Sequence, residues 1–161
     1  MSVEHDFGSL RSSSLSTGLT DQQVEALAGI ACCRRLADGE ILIQEGDVTN
    51  SLHVITEGAL AVTRELGKGE YTTIHVLHTG DLAGEMGFIS GKPHTATLRS
   101  LGRTQICTVE REAFESLLTE HPWLVYRVMQ TIVRVGQDIL RRMNAQHVEL
   151  TKYVSSSHAL Y

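Results

Sequence analysis

Between Glu40 and His78 the apolar residues fall on alternate positions, as Ile41 and Ile43, Leu52 and Val54, Leu60 and Val62, Ile74 and Val76. A period of two turns one face of each run to a core and the other to water, which strands do and helices do not. Turn signals at Glu45-Gly46-Asp47, Glu57-Gly58, Gly67-Lys68-Gly69, Gly80-Asp81 and Gly102 separate the runs. Turns at that interval are typical of an antiparallel sandwich or barrel. Further strands are expected over residues 96–101 and 104–109.

Helical patterns flank this block. Thr20 followed three positions later by Gln23 makes a capping-box start, and Val24, Leu27, Ala28 and Ile30 recur at helical spacing, so a helix is expected over 21–33. After Glu110 a short helix over 111–119 precedes His121-Pro122, and Pro122 suits the first turn of a long helix. Along that helix Val125, Val128, Ile132, Val135 and Ile139 advance in alternating steps of three and four, the apolar seam of a heptad, and Arg142 takes the next seam position. Two arrangements satisfy the seam: the helix lies on its own sheet, or two copies meet along it as a homodimer over residues 123–146. Gly136 costs about 1 kcal/mol relative to Ala in a helix and points to close approach of another backbone.

The first nineteen residues are interrupted by Ser12, Ser13, Ser14, Ser16 and Gly18 and read as a flexible arm. The chain of 161 residues is expected to be an arm over 1–19, one domain over 20–146 and a tail over 147–161. A formal net charge of −5 disfavours nucleic acid. The absence of an apolar span or leader core implies no membrane association and a cytoplasmic chain. Cys32, Cys33 and Cys107 are too few and too badly spaced for a disulfide framework, a zinc site or an iron–sulfur cluster, and are expected to be small buried or half-buried thiols.

The stretch from Gly80 to Thr97, with four glycines and one proline inside it, is too long and irregular for a simple hairpin. Gly84 and Gly87 allow backbone N–H groups to approach a ligand, and Met86 to Ser90 form one helical turn in this reading, whose N-terminal amides face an anion. Glu85 accepts hydrogen bonds and donates none when ionised. Without a ligand it would still be favoured at a helix N-terminus by the macrodipole.

These residues resemble the phosphate-binding cassette of the cyclic-nucleotide-binding domain family. The Gly46-Asp47 turn, the Leu52-His53-Val54-Ile55-Thr56-Glu57-Gly58 segment and Gly80-Asp81 resemble that family too, so the similarity covers residues 19–145. The resemblance implies a mainly β fold with flanking α-helices, an antiparallel β-roll of the double-stranded β-helix or jelly-roll kind closed by a long C-terminal helix. It implies a regulatory, non-enzymatic role: cAMP or cGMP as ligand, no required cofactor, no metal, and signalling through the last helix. By similarity Glu85 accepts from the ribose 2′-hydroxyl, while Gly84, Met86, Thr95 and Ala96 meet the ribose and phosphate.

The chain departs from the family pattern at His94, where an arginine fork binds the cyclic phosphate. A neutral imidazole offers one donor and no full charge, and losing a charge-assisted contact costs about 1.5–3 kcal/mol. Three outcomes stay open: His94 protonates, Lys92 or Arg99 substitutes, or the pocket has kept its shape without nucleotide. The last makes the domain an interaction module for a partner protein.

The family is known for a helix-turn-helix after the long helix; about fifteen residues follow Ala145, too few for one, so direct DNA binding is not expected. Eight histidines, His5, His53, His75, His78, His94, His121, His147 and His158, form no nucleophile or metal signature. Some relatives of the fold use haem, for which His75, His78 and Cys107 are the conceivable ligands.

Overall fold

The structure, a computed structural model, describes residues 7–158. The expected β-roll with flanking helices is present. Helix α1 (Phe7–Ser12), a 3₁₀ turn (Ser14–Ser16) and α2 (Asp21–Ile30) precede the strands β1 (Cys32–Leu36), β2 (Ile41–Ile43), β3 (Ser51–Gly67), β4 (Glu70–His78) and β5 (Leu82–Ala83). Helix α3 (Glu85–Ser90), β6 (Thr97–Glu110), α4 (Arg111–Ser116) and α5 (Pro122–His158) follow. The strands run antiparallel in the order β1-β6-β3-β4, with β2 beside β6 and β5 beside β3.

Two long strands carry the roll, and each replaces a pair expected from the turn signals. Gly58 does not end a strand. It sits at φ 86° inside β3, where the register with β6 slips between Ile55 and Ala59. A Cβ there would come 2.5 Å from the Arg103 carbonyl oxygen, so glycine permits both the bend and the close approach of β6. Gly102 at φ 68° bends β6 in the same way. The Gly67-Lys68-Gly69 signal is a true hairpin turn, joining β3 to β4.

The capping box at Thr20 is formed: the Gln23 N–H donates to Thr20 Oγ1 and the Thr20 N–H to Gln23 Oε1. The helix stops at Ile30, three residues short of the expected end, because Ala31 is already extended and Cys32–Leu36 pairs with β6. The described part of the arm is not loose. Leu10, Leu15 and Leu19 are buried in the larger core, and Ser14 donates from both its N–H and its hydroxyl to the Gly80 carbonyl. Residues 1–6 of the expected arm and 159–161 of the expected tail lie outside the described residues; 147–158 continue α5.

Two apolar clusters result. One fills the inside of the roll with Leu36, Ile43, Ile55, Leu60, Ala83, Leu98 and Ile106. The other packs the helices against the outside, and Val125, Val128 and Ile132 of α5 belong to it. The expected seam is therefore the stripe by which α5 lies on its own domain. Nothing lies within 4 Å of a Cβ built on Gly136, so within the chain no backbone crowds it.

Cys33 and Cys107 are directly opposed across β1 and β6 and are joined by a disulfide, while Cys32 is free and exposed. The expectation of thiols fails for these two because antiparallel pairing places facing side chains within bonding reach. Cys107 and His75 are thereby engaged elsewhere, in the disulfide and with Arg142, and the conceivable haem ligands are not assembled. Among the described residues no three His, Cys, Asp or Glu side chains are grouped to hold a metal.

Candidate functional site

The segment from β5 to β6 is pinned at both ends. At its start His53 and Val54 of β3 pair with Ala83 and Leu82. Gly84 then takes φ 75°, and a Cβ there would stand 3.1 Å from both Ile43 Cδ1 and the Ser51 carbonyl oxygen. Having no side chain, Gly84 leaves the first turn of α3 without a side-chain cap. At the other end the His94 N–H donates to the Asp47 carbonyl and the Gly46 N–H to the His94 carbonyl, each at 2.8 Å. Thr97, fully buried, accepts from the Glu45 N–H at 2.9 Å.

Helix α3 is anchored from below and behind. Phe88 is buried against Phe114, ring centroids 5.4 Å apart. Arg111, at the start of α4, donates from Nε and Nη2 to the Phe88 carbonyl and from Nη2 to the Gly87 carbonyl. A guanidinium on the last carbonyls complements the helix dipole and fixes the short helix in place. Nothing in the spacing of the sequence singled out Arg111, since it contacts a helix more than twenty residues away.

Of the expected site residues, Glu85 is the most committed. Its side chain is buried at 8 % exposure and forms no ion pair among the described residues. Burial raises its pKa above the usual carboxylate range, partly offset by a hydrogen bond from its own backbone N–H. A buried carboxylate with no cation has acceptor capacity for a donor from outside the chain. Met86 is 62 % exposed. Thr95 is exposed and Ala96 half-buried.

His94 is turned back on the cassette. Its Nε2 lies 2.6 Å from Thr49 Oγ1, and a Cβ built on Gly87 would be 2.5 Å from its Cε1. Burial lowers its pKa, opposed by the Asp47 carboxylate, so the ring is neutral near pH 7. Arg99 does not reach the cassette: its guanidinium lies 5.9 Å over the ring of Tyr71, and its backbone pairs with β2 and β3. Sequence reasoning missed Thr49 and also His53, which packs 3.4 Å from a Cβ placed on Gly84. His53 is held by Thr108 at 2.8 Å and pushed down to a pKa of about 4 by burial, then by Arg34 and His94.

A polar depression of about 620 Å³ adjoins Thr97, but its walls include Glu45 and Glu65. Glu45 is paired with Arg64, and the two carboxylates in these walls disfavour a phosphate there.

A family model described as the cyclic nucleotide-binding domain matches residues 33–121, from β1 to the threshold of α5. The chain belongs to the cyclic nucleotide-binding domain family. Among relatives of the domain, the cAMP-dependent protein kinase regulatory subunit of Dictyostelium discoideum is 33% identical over 97 residues, which are 58% of this chain and 30% of that protein. This chain thus spans less than a third of that relative. A cyclic nucleotide-binding domain from Methylobacillus flagellatus KT superposes with a TM-score of 0.81 at 21% identity, covering 89% of this chain and 83% of that one. The regulatory domain of Toxoplasma gondii protein kinase A, crystallised with cAMP, superposes with a TM-score of 0.63 at 20% identity, covering 87% and 48%. The domain is of the regulatory kind, and no helix of its described part is long and apolar enough to cross a membrane.

Proposed function

We propose that the chain is a non-enzymatic sensor that binds cAMP or cGMP in the cassette from Gly84 to Ala96 and passes occupancy to α5. The observation that carries this is Glu85: a buried carboxylate, unpaired with any cation, at the uncapped start of α3. The ribose 2′-hydroxyl donates to this carboxylate, the backbone of Gly84 and Met86 with Thr95 and Ala96 meets the ribose–phosphate, and His94 donates one hydrogen bond once it leaves Thr49. No metal or other cofactor takes part. The ligand shifts α5 between two orientations by contacting one of them better. In this reading the domain works in the cytoplasm, without direct contact to DNA, as a homodimer or through a partner protein.

The dimer uses a seam other than the one first expected. Tyr126, Met129, Val133, Gly136, Leu140, Met143, His147, Leu150 and Val154 follow strict steps of three and four along α5. Tyr126, Val133, Leu140, Met143, Leu150 and Val154 are all about half exposed or more. An apolar stripe with a 3.5-residue period fits a helix with the same repeat, and a second copy of α5 has it. The neighbouring positions Gln130, Gln137, Asn144 and Thr151 are uncharged, so nothing on that flank repels a copy.

A second reading, an interaction module with a disused pocket, is favoured by one observation: the neutral His94 ring bound to Thr49. Calorimetric titration of the wild type and of His94→Arg with cAMP and cGMP separates the two. The sensor reading expects saturable binding by the wild type, tightened about 10–100-fold in the variant. Absence of binding by both proteins overturns it in favour of the module.

A further inference from the structure

Beyond the end of its packed stripe, α5 sends one arginine side chain back to the roll. From Leu140 to Ser157 its described residues are exposed, and the hydrogen bonds from Thr151, Ser156 and Ser157 return to the helix's own carbonyls. Arg142 is different. Its Nη1 lies against the imidazole of His75 on β4, 3.2 Å from Nδ1 and nearer Nε2, one of which accepts. The contact stands about 15 Å along the helix from Ile132, the last fully buried residue of the stripe.

The chemistry of this pair is one-sided. A guanidinium only donates, so the imidazole must offer a lone pair, and a protonated imidazole has none. Strand β4 continues through Asp81, whose carboxylate accepts from the His78 N–H, into β5 and Glu85. The same strand therefore touches the projecting helix at one point and leads into the cassette at its end.

We propose that Arg142 and His75 form a pH-sensitive latch that holds the outer half of α5 against β4 and opens when the imidazole takes up a proton. The proposal does not depend on nucleotide binding or on the helix pair. The groups facing His75 are Arg142 from α5, His78 on its own strand and Asp81 in the following turn. Burial, then the positive charge of Arg142, lowers the His75 pKa, with Asp81 pulling the other way and His78 adding to the lowering. The closed latch thus binds the proton less well than the open one. Closure is complete at higher pH and is lost as pH falls below the ordinary histidine value of about 6.5.

Electron–electron distance measurement tests the latch on the full chain, with spin labels at Thr73→Cys and Lys152→Cys in a Cys32→Ser background, diluted into unlabelled protein to silence distances between copies. A single narrow distribution at pH 8 and a broader, longer one at pH 5.5 are expected. His75→Gln keeps an acceptor that cannot titrate and should give the narrow distribution at both values; Arg142→Leu should give the broad one at both. An unchanged wild-type distribution, or a His75→Gln protein that still responds to pH, overturns the latch while leaving the nucleotide reading untouched.

Discussion

The imidazole of His94 rests on Gly87: a Cβ on that glycine would stand 2.5 Å from Cε1 and 2.9 Å from Nε2. The absent methyl group on the cassette helix is what lets the ring fold inward and meet Thr49. Gly87→Ala should displace the ring and break that hydrogen bond. In a double-mutant cycle of Gly87→Ala with His94→Ala, urea denaturation should return a coupling of about 1 kcal/mol, whereas additivity within about 0.3 kcal/mol would disprove the contact.

Glu85 must be ionised to accept from a ribose hydroxyl. Burial raises its pKa in the free protein, and a bound hydroxyl donor lowers it. Nucleotide affinity should therefore hold at neutral pH and weaken as pH falls through the raised carboxylate value. Glu85→Gln should lower affinity about 10–100-fold at pH 7, the worth of one hydrogen bond to a charged group, and should flatten the acid limb of the affinity profile.

His53 makes stability depend on pH with the same sign as a salt-bridged carboxylate, in a window set by the histidine pKa values. Its folded pKa is about 4 against 6.5 for the free side chain. The unfolded chain therefore takes up the proton first, and stability falls as pH drops below 6.5. Between pH 7.5 and 5 the loss should be about 2 kcal/mol, read by urea denaturation. His53→Gln should remove most of that slope; an equal slope in both proteins would show that the buried imidazole is not its source.

The two stripes of α5 make separable predictions. Leu140→Glu or Leu150→Glu should turn a dimer into a folded monomer in sedimentation equilibrium, because each places a charge on the exposed seam. Val128→Ala should leave assembly alone and lower stability by about 1–3 kcal/mol, because Val128 is buried in its own domain. Dissociation by Val128→Ala with retention by Leu140→Glu would reverse the assignment.

The strands were legible because alternation survives wherever one face is buried, and the Thr20 helix because its cap is written in two residues. What the pattern could not separate was a turn from a bulge. Glu57-Gly58 and Gly102 carry the same glycine signal as Gly67-Lys68-Gly69, but only a partner strand shows that Gly58 must admit the backbone of Arg103. The two arrangements open to the seam of α5 could not be told apart for a related reason. Two heptads lie side by side, one step apart, and sequence spacing does not say which faces the roll. Of the site, the backbone frame from Gly84 to Thr97 was readable from its glycines. The direction of the His94 ring and the anchoring by Arg111 were not, since both depend on contacts between elements far apart in the chain.

Amide correlation spectra recorded during titration with cAMP and then cGMP test, residue by residue, whether the cassette from Gly84 to Ala96 receives the nucleotide. Saturable shifts are expected at Gly84, Glu85, Met86, Thr95 and Ala96, absent in Glu85→Ala, with smaller changes along α5. Saturating nucleotide that leaves those amides unmoved, or shifts only residues remote from them, would contradict binding in the cassette.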